Sequence, residues 1–390
     1  MVARAYLDWN ATAPLRPQAR AAMLAACELV GNPSSVHAEG RAARRAIEQA
    51  RAEVAALVGA RPDGVVFTSG GTEANMLALS PQIAVDGDPG PWERLLVSAV
   101  EHPSVRCGGG FAPDCVEEVA VRRDGRIDLD ALERRLAAPG RCRPMVSVMF
   151  ANNESGVVQP IADVAKIVHA AGGLLHVDAV QAAGRIACSI DAIGADLMTV
   201  SGHKLGGPKG VGAVIRRDPA LHFRLPLIRG GGQERGLRAG TENVAAIAGF
   251  GAAATAARAD LGAATGATLD LRQRLEAALK TISPEAIIFG ADVERLPNTT
   301  LFAVPGVKAE TAVIALDLAG VAVSSGAACS SGKVQPSHVL SAMGVDPTLA
   351  RAAIRVSLGH ETRDFEVDRL LDAWTKFAGS LNRGIGGLAA

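Results

Sequence analysis

The strongest constraint on the fold is an alternation of short apolar runs with helical stretches that begins near residue 64. Such alternation is typical of βα units, which build a parallel sheet. Five runs have the character of buried strands: VVFTS, RLLVSAV, PMVSVMF, LLHVDAV and DLMTVSG. The pattern therefore predicts an α/β fold with a mainly parallel sheet between helices.

Each of these runs ends in polar residues. The five endings are GGTEAN, EHPS, ANNESG, QAAGR and HK. Loops after strands are often polar, so one ending alone indicates little. Ligands of open α/β sheets bind outside the carboxyl ends of the strands. Five polar endings together therefore favour a single shared site.

The segments that flank this region complete the expected architecture. Residues 20–60 have apolar side chains at helical spacing, and a long Ala-rich helix is expected after residue 243. The remainder reads as strand, helix, strand, strand and a final helix, which indicates a smaller α+β domain. We expect a large domain over residues 15–255 and a small domain formed by residues 1–14 and 256–390.

Composition argues against several kinds of partner. Lys and Arg total 40, as do Asp and Glu, so no basic surface is expected for nucleic acid or an anionic membrane. The six cysteines show no C-x-x-C pair or zinc spacing, which indicates a reducing compartment and no resident metal. The N-terminus lacks a signal-peptide pattern, and the apolar run from Val244 is too short to span a bilayer. We expect a soluble, cytoplasmic protein.

Two charged residues at strand ends are candidates for cofactor binding. Lys204 follows Ser201 and His203, and it could be a solvated charge, a phosphate clamp or the attachment point of a cofactor. Lys209 is a rival that lacks such polar neighbours. Asp178 ends an apolar run, where it could hold the protonated ring nitrogen of pyridoxal 5′-phosphate (PLP) or cap a helix.

Other polar residues at the strand ends suit the same ligand. Gly71 and Thr72 begin a helix whose N-terminus could bind a phosphate, although an ordinary capped helix is the alternative. His102 could stack on a ring and move protons near neutral pH. Gln181 and Asn153 could hydrogen-bond the oxygen of that ring.

Two residues in the C-terminal part could act on the substrate. Cys329 lies among Ser, Gly and Ala, so it is either an exposed, reactive thiol or an inert loop cysteine. We expect the other five cysteines to be more buried. Arg355 has apolar neighbours on both sides, which indicates either a site for a substrate carboxylate or a salt bridge within the protein.

Eight ordered motifs together resemble a known family. They are GGTEAN, EHPSV, ANNESGVVQP, HVDAVQAAG, SGHKLGGPKGVGA, GGGQERGLRAGTENV, SSGAACSSG and RVSLG. The chain resembles the NifS/IscS-like cysteine desulfurases of the class V aminotransferase superfamily, which are fold-type I PLP enzymes. The resemblance implies a seven-stranded sheet, PLP as cofactor, and conversion of L-cysteine to L-alanine.

The resemblance also implies roles for individual residues. Lys204 would be the Schiff-base lysine, Cys329 would hold sulfur as a persulfide, and His102 would assist catalysis. Arg355 and Asn153 would bind the substrate. The remaining implied contacts are with the cofactor: Gly71, Thr72, Asn153, Asp178, Gln181, Ser201, His203 and Thr241.

Partners follow from the same resemblance. Thr241 would come from the second subunit of a homodimer. An iron–sulfur scaffold or another sulfur-acceptor protein would receive the sulfur, which leaves Cys329 as a contact for a transferred iron–sulfur cluster.

Overall fold

The computed structural model describes residues 4–84, 90–138, 143–326 and 337–386. The strands in chain order are β1 (Ala5–Tyr6), β2 (Val65–Thr68), β3 (Ile83–Ala84), β4 (Arg94–Ser98), β5 (Val116–Val119), β6 (Pro144–Met149), β7 (Leu174–Asp178), β8 (Leu197–Ser201), β9 (Gly212–Arg216), β10 (His222–Phe223), β11 (Ile287–Ile288), β12 (Thr299–Ala303), β13 (Val321–Ala322), β14 (Ser324–Ser325) and β15 (Ile354–Ser357).

The helices are interleaved with these strands. In chain order they are α1 (Pro17–Cys27), α2 (Ala38–Leu57), α3 (Gly71–Ala78), α4 (Pro103–Arg106), α5 (Leu129–Leu136), α6 (Ile161–Ala170), α7 (Ile190–Ile193), α8 (Val244–Ile282), α9 (Ala309–Leu318), α10 (His338–Ala342), α11 (Pro347–Arg351) and α12 (Asp364–Gly386).

The main sheet has seven strands in the order β2-β9-β8-β7-β6-β4-β5. The five apolar runs form β2, β4, β6, β7 and β8, as the alternation predicted. Only β9 runs opposite to the other six strands. Strands β6, β7 and β8 are buried on both faces, which explains their continuous apolar sequences.

Helices cover both faces of this sheet. One core packs α2, α6 and the first half of α8 against it, and Ile47, Val164 and Phe250 are fully buried there. A second core lies under α3 on the opposite face. The α/β fold with a mainly parallel sheet is confirmed.

The C-terminal part forms a separate sheet in the order β11-β12-β15-β14. Its core contains Phe302 and Trp374, whose rings meet edge to face with centroids 5.2 Å apart. Residues 5–7 join this core through the parallel pairing of β1 with β13. The N-terminus therefore packs with the C-terminal part, and the exact division of the chain into domains stays a prediction.

Helix α8 connects the two cores. Phe250 lies in the first core, whereas Leu275 and Leu279 lie in the core of the C-terminal part. The apolar run from Val244 is thus the start of a 39-residue helix, in agreement with the long helix expected after residue 243. Within the described ranges, α8 alone has the length and composition to cross a membrane, but 44% of its most apolar window is buried inside the protein.

A buried ion pair closes the outer edge of the main sheet. Arg51 on α2 and Glu234 are 2% and 3% exposed, and the two guanidinium nitrogens each lie 2.7 Å from a carboxylate oxygen. Glu234 also accepts a hydrogen bond from Phe67 N of the edge strand β2, at 2.8 Å. The Arg51 guanidinium lies 4.9 Å from the centre of the Phe67 ring.

Removing one partner of this pair should strongly destabilise the protein. Arg51→Met leaves the Glu234 carboxylate buried without its cation, so we expect the free energy of unfolding to fall by about 3–5 kcal/mol in urea titrations. Arg61→Met is the matched control, because Arg61 pairs with Asp63 at the surface and should matter little. Equal effects of the two variants would contradict this account.

Candidate active site

Most of the predicted site residues line one cavity of about 280 Å³ at the carboxyl ends of the main-sheet strands. The predicted residues that the structure brings together there are Gly71, Thr72, His102, Asn153, Asp178, Gln181, Ser201, His203, Lys204 and Arg355. Three further polar residues line the cavity without having been assigned a role from the sequence, namely Asn10, Asn75 and Ser104. Asn75 lies within the motif GGTEAN and Ser104 within EHPSV, so the sequence carried a signal for these two residues.

Two predicted residues lie elsewhere. Thr241 is exposed and lines a different cavity of the same chain, together with Glu234 and Arg238. Cys329 lies outside the described residues. Cys142 lies outside them as well, so it stays a prediction that the other cysteines are more buried than Cys329. Cys27 and Cys107 are exposed, because they sit at the ends of short surface helices.

Asp178 is a buried carboxylate at the end of β7, only 5% exposed. Its Oδ2 accepts a hydrogen bond from Asn75 Nδ2 at 2.8 Å, and its Oδ1 accepts one from Val180 N at 3.0 Å. The side chain therefore has a fixed orientation in the cavity. Such a carboxylate is suited to hold a cationic ring nitrogen.

His102 is oriented by the start of α4. Its Nδ1 accepts a hydrogen bond from Ser104 N at 3.2 Å and lies 2.8 Å from Ser104 Oγ. Ser104 Oγ in turn accepts from Asn75 Nδ2 at 2.9 Å, so one network joins His102 to Asp178. Burial lowers the pKa of His102, Lys204 lowers it further, and Asp178 acts in the opposite direction. The ring is therefore neutral at pH 7.

Lys204 lies in a single 3₁₀ turn directly after β8. Its Nζ donates hydrogen bonds to the carbonyl oxygens of Asn10 at 2.5 Å and Ala11 at 2.8 Å. Gln181 Nε2 donates to the same Asn10 oxygen at 3.1 Å. Lys209, the rival lysine, is exposed in the following turn and does not line the cavity.

The first turn of α3 forms a narrow cradle beside Ser201. A Cβ atom added to Gly71 would lie 3.2 Å from Val180 Cγ2 and 3.4 Å from Ser201 Cβ, so glycine permits this close approach. Ser201 is 2% exposed, and no described residue forms a hydrogen bond with its Oγ. Thr72 adds a hydroxyl group to the same wall of the cavity. The cradle is suited to a phosphate, whose oxygens would satisfy these donors.

His203 lines the same cavity and contacts the N-terminal segment. Its Nδ1 lies 3.2 Å from Thr12 Oγ1. Burial, together with Lys204, lowers the pKa of His203 to about 4, so the ring is neutral at physiological pH.

Arg355 reaches the cavity from β15 of the C-terminal sheet. Its NH2 pairs with Asp8 Oδ1 at 2.8 Å, and its NH1 donates to the Asn153 carbonyl at 2.9 Å. The salt bridge considered as an alternative thus exists. Arg355 still lines the cavity, and its Nε has no partner among the described residues.

The described residues contain no group of three or more His, Cys, Asp or Glu side chains that could hold a metal ion. The polar side chains of the cavity are instead amides, hydroxyls, two histidines, one lysine and one arginine around a carboxylate. This set suits an organic ligand that carries both anionic groups and a cationic ring.

Comparison with known proteins gives a consistent result. The sequence model of the family described as aminotransferase class-V matches residues 5–370. The chain is 46% identical to the cysteine desulfurase of Cereibacter sphaeroides over 95% of this chain and 94% of that protein. It is 42% identical to the cysteine desulfurase of Gluconacetobacter diazotrophicus over 94% and 91% of the two chains.

A solved structure supports the same relationship. The NifS-like protein of Rickettsia africae superposes with a TM-score of 0.85 at 35% identity, over 96% of this chain and 99% of that one.

Glu154, next to Asn153, should make stability depend on pH. Burial raises its pKa to about 7, although the Ser337 hydroxyl and Arg355 lower it. Below the ordinary value of 4.5 the folded and unfolded chains both carry the proton. Between 4.5 and about 7 only the folded chain keeps it, so stability falls as the pH rises through this window.

Glu154→Gln should remove this dependence. We expect the free energy of unfolding of the variant, relative to that of the wild type, to rise by on the order of 2 kcal/mol as the pH rises from 5 to 8. Urea titrations at each pH measure this difference. Glu133→Gln, at an exposed position on α5, should follow the wild-type curve. A constant difference between Glu154→Gln and the wild type across this range would show that Glu154 is ionised throughout.

Proposed function

The chain belongs to the class-V aminotransferase family and is a cysteine desulfurase, and we propose that it uses PLP bound in the cavity at the strand ends. One observation carries the proposal: ten residues predicted from separate motifs line that one cavity. The reaction takes L-cysteine to L-alanine and leaves sulfur for transfer to an acceptor.

The described residues are suited to hold each part of the cofactor. Asp178 would pair with the ring nitrogen, and Gln181 and Asn153 would hold the ring oxygen. The phosphate would bind at Gly71, Thr72, Ser201 and His203. When bound, PLP supplies an electron sink for the charge that develops at Cα of the substrate.

Lys204 and His102 are suited to hold and move protons. Lys204 Nζ is held at the cavity by the carbonyls of Asn10 and Ala11, and from there it would attach the cofactor and take the proton from Cα. The neutral His102 accepts hydrogen bonds at Nδ1, which leaves Nε2 as the protonated nitrogen. His102 could therefore donate a hydrogen bond from Nε2 to a bound ligand, and the neutral ring would have to take up a proton before it could transfer one.

We assign the nucleophile to Cys329 on the strength of its motif, SSGAACSSG. The Cys329 thiolate would attack the substrate sulfur, so that an S–S bond forms, the bond between sulfur and Cβ breaks, and alanine leaves. The outer sulfur of the persulfide would then pass to an acceptor protein. We propose that this sulfur is used in iron–sulfur cluster assembly. The scattered cysteines support a cytoplasmic location.

We further propose that the enzyme is a homodimer. Thr241 lines a cavity that is separate from the active site of its own chain. Thr241 would therefore contribute its hydroxyl group to the active site of a second copy of the chain.

Replacing Cys329 tests the proposed reaction. Cys329→Ser should keep the visible absorption of bound PLP, because the cofactor contacts do not include Cys329, and it should lose nearly all alanine and sulfide release from L-cysteine. Cys107→Ser is the matched control, since Cys107 is exposed and distant in sequence. Wild-type turnover in Cys329→Ser would mean that another group accepts the sulfur.

Arg355→Ala should weaken substrate binding more than folding. A hydrogen-bonded charge contact contributes roughly 1.5–3 kcal/mol, so we expect KM for L-cysteine to rise on the order of 10- to 100-fold. Asp8→Asn removes the ion pair but keeps the guanidinium, and it should have a smaller effect on KM. A large loss of thermal stability in Arg355→Ala with an unchanged KM would make Arg355 a structural residue only.

A further inference from the structure

A strained turn in the loop of residues 229–243 lies at the edge of the main sheet. Glu234 and Arg235 have φ angles of 47° and 58°, a left-handed conformation that is costly for residues with side chains. The buried contacts of Glu234 with Arg51 and Phe67 N hold the turn in place. Strain of this kind is maintained most often where a structure positions functional groups.

This loop carries a second arginine to α3. Arg238 Nε lies 2.9 Å from Glu73 Oε1, and Arg238 NH2 lies 3.3 Å from Glu73 Oε2. The side chains of Arg238 and Glu73 are 22% and 11% exposed, so the pair is largely shielded from solvent. Glu73 Oε2 also accepts a hydrogen bond from Ser69 N at 2.8 Å.

Glu73 occupies a position where its charge matters. It is the one acidic residue in the first turn of α3, next to Thr72 and Gly71 of the cavity wall. Burial acts to raise the pKa of Glu73, but Arg238 and Ser69 outweigh it and lower the pKa, so the carboxylate is ionised.

An anion that binds this turn would therefore meet a negative charge. The buried Ser201 Oγ, without a partner among the described residues, points independently to an oxygen-rich ligand at the same wall. Glu73 does not line the cavity itself, but a carboxylate in the same helical turn as a bound phosphate costs binding energy unless a cation neutralises it.

We propose that Arg238 is a positioning residue for the cofactor site, which pairs with Glu73 and so allows the first turn of α3 to accept a phosphate group. The inference rests on the proposed function, because it takes the anion to be the phosphate of PLP. Arg238 acts through Glu73 and need not touch the ligand.

The two halves of the pair should behave differently. Full-length protein is titrated with PLP and with pyridoxal, which lacks the phosphate. Arg238→Met leaves Glu73 uncompensated, so the Kd for PLP should rise on the order of tenfold while the Kd for pyridoxal changes less than about twofold. Glu73→Gln keeps an acceptor for Ser69 N and removes the charge, so PLP should bind as tightly as to the wild type or more tightly.

Further variants separate charge from structure. Arg238→Met combined with Glu73→Gln should restore wild-type PLP affinity, and Arg238→Lys should retain most of it. Arg235→Met is the matched control, because Arg235 lies in the same strained turn but donates to the Asp63 carbonyl instead.

Two results would overturn the proposal. Equal weakening of PLP binding by Glu73→Gln and Arg238→Met would indicate a purely structural salt bridge. Equal loss of PLP and pyridoxal affinity in Arg238→Met would show that the phosphate is not involved. A wild-type protein that fails to bind PLP would instead refute the proposed function.

Discussion

The parallel register of β6, β7 and β8 is the constraint on which the site depends. Met149, Asp178 and Thr199 are paired across these three strands, so the strands end at the same edge of the sheet. The polar residues that follow the strands, such as Asn153 after β6 and Lys204 after β8, must therefore lie close together. Because both faces of these strands are buried, a one-residue shift of register would exchange the side chains of the two packed faces and draw polar residues from the strand ends into the core, so the register is fixed.

A short N-terminal segment, residues 8–12, joins this edge to the C-terminal sheet. Asp8 pairs with Arg355, and the carbonyl oxygen of Asn10 accepts hydrogen bonds from Lys204 and Gln181. Asn10 N also donates to Ser357 Oγ at 3.0 Å. The residue proposed to bind the cofactor and the residue proposed to bind the substrate are thus held by one segment, which couples their positions.

Much of this arrangement could be predicted from the sequence, because strands and their polar ends are local patterns. To predict that Asp178 and Lys204 share a cavity, it was enough to identify the strands and to know that the carboxyl ends of parallel strands lie at the same edge of a sheet. The contacts that orient these residues could not be predicted. Asn75 hydrogen-bonds Asp178, and the Asn10 carbonyl accepts from Lys204, in each case across more than 100 residues of sequence. The local sequence around Asn75 and Asn10 does not indicate these partners.

Other features depend on tertiary packing and were missed for the same reason. Glu234 and Arg235 are consecutive non-glycine residues with left-handed backbone angles, a conformation that is disfavoured locally. The contacts of Glu234 with Arg51 and Phe67 N stabilise it. The exposure of Cys107 follows from the position of α4 on the surface. Helix α8 is continuous through both cores, so no local signal separates the two parts of the chain.

The central claim is that the edge of the main sheet presents Lys204 to a cofactor ring held by Asp178. The most direct measurement is borohydride reduction of the purified protein with bound PLP, followed by peptide mapping of the pyridoxyl group. The account predicts a single modified peptide with the label on Lys204, and its loss in a Lys204→Arg variant. A label on Lys209, or a protein that gains no visible absorption band on addition of PLP, would contradict it.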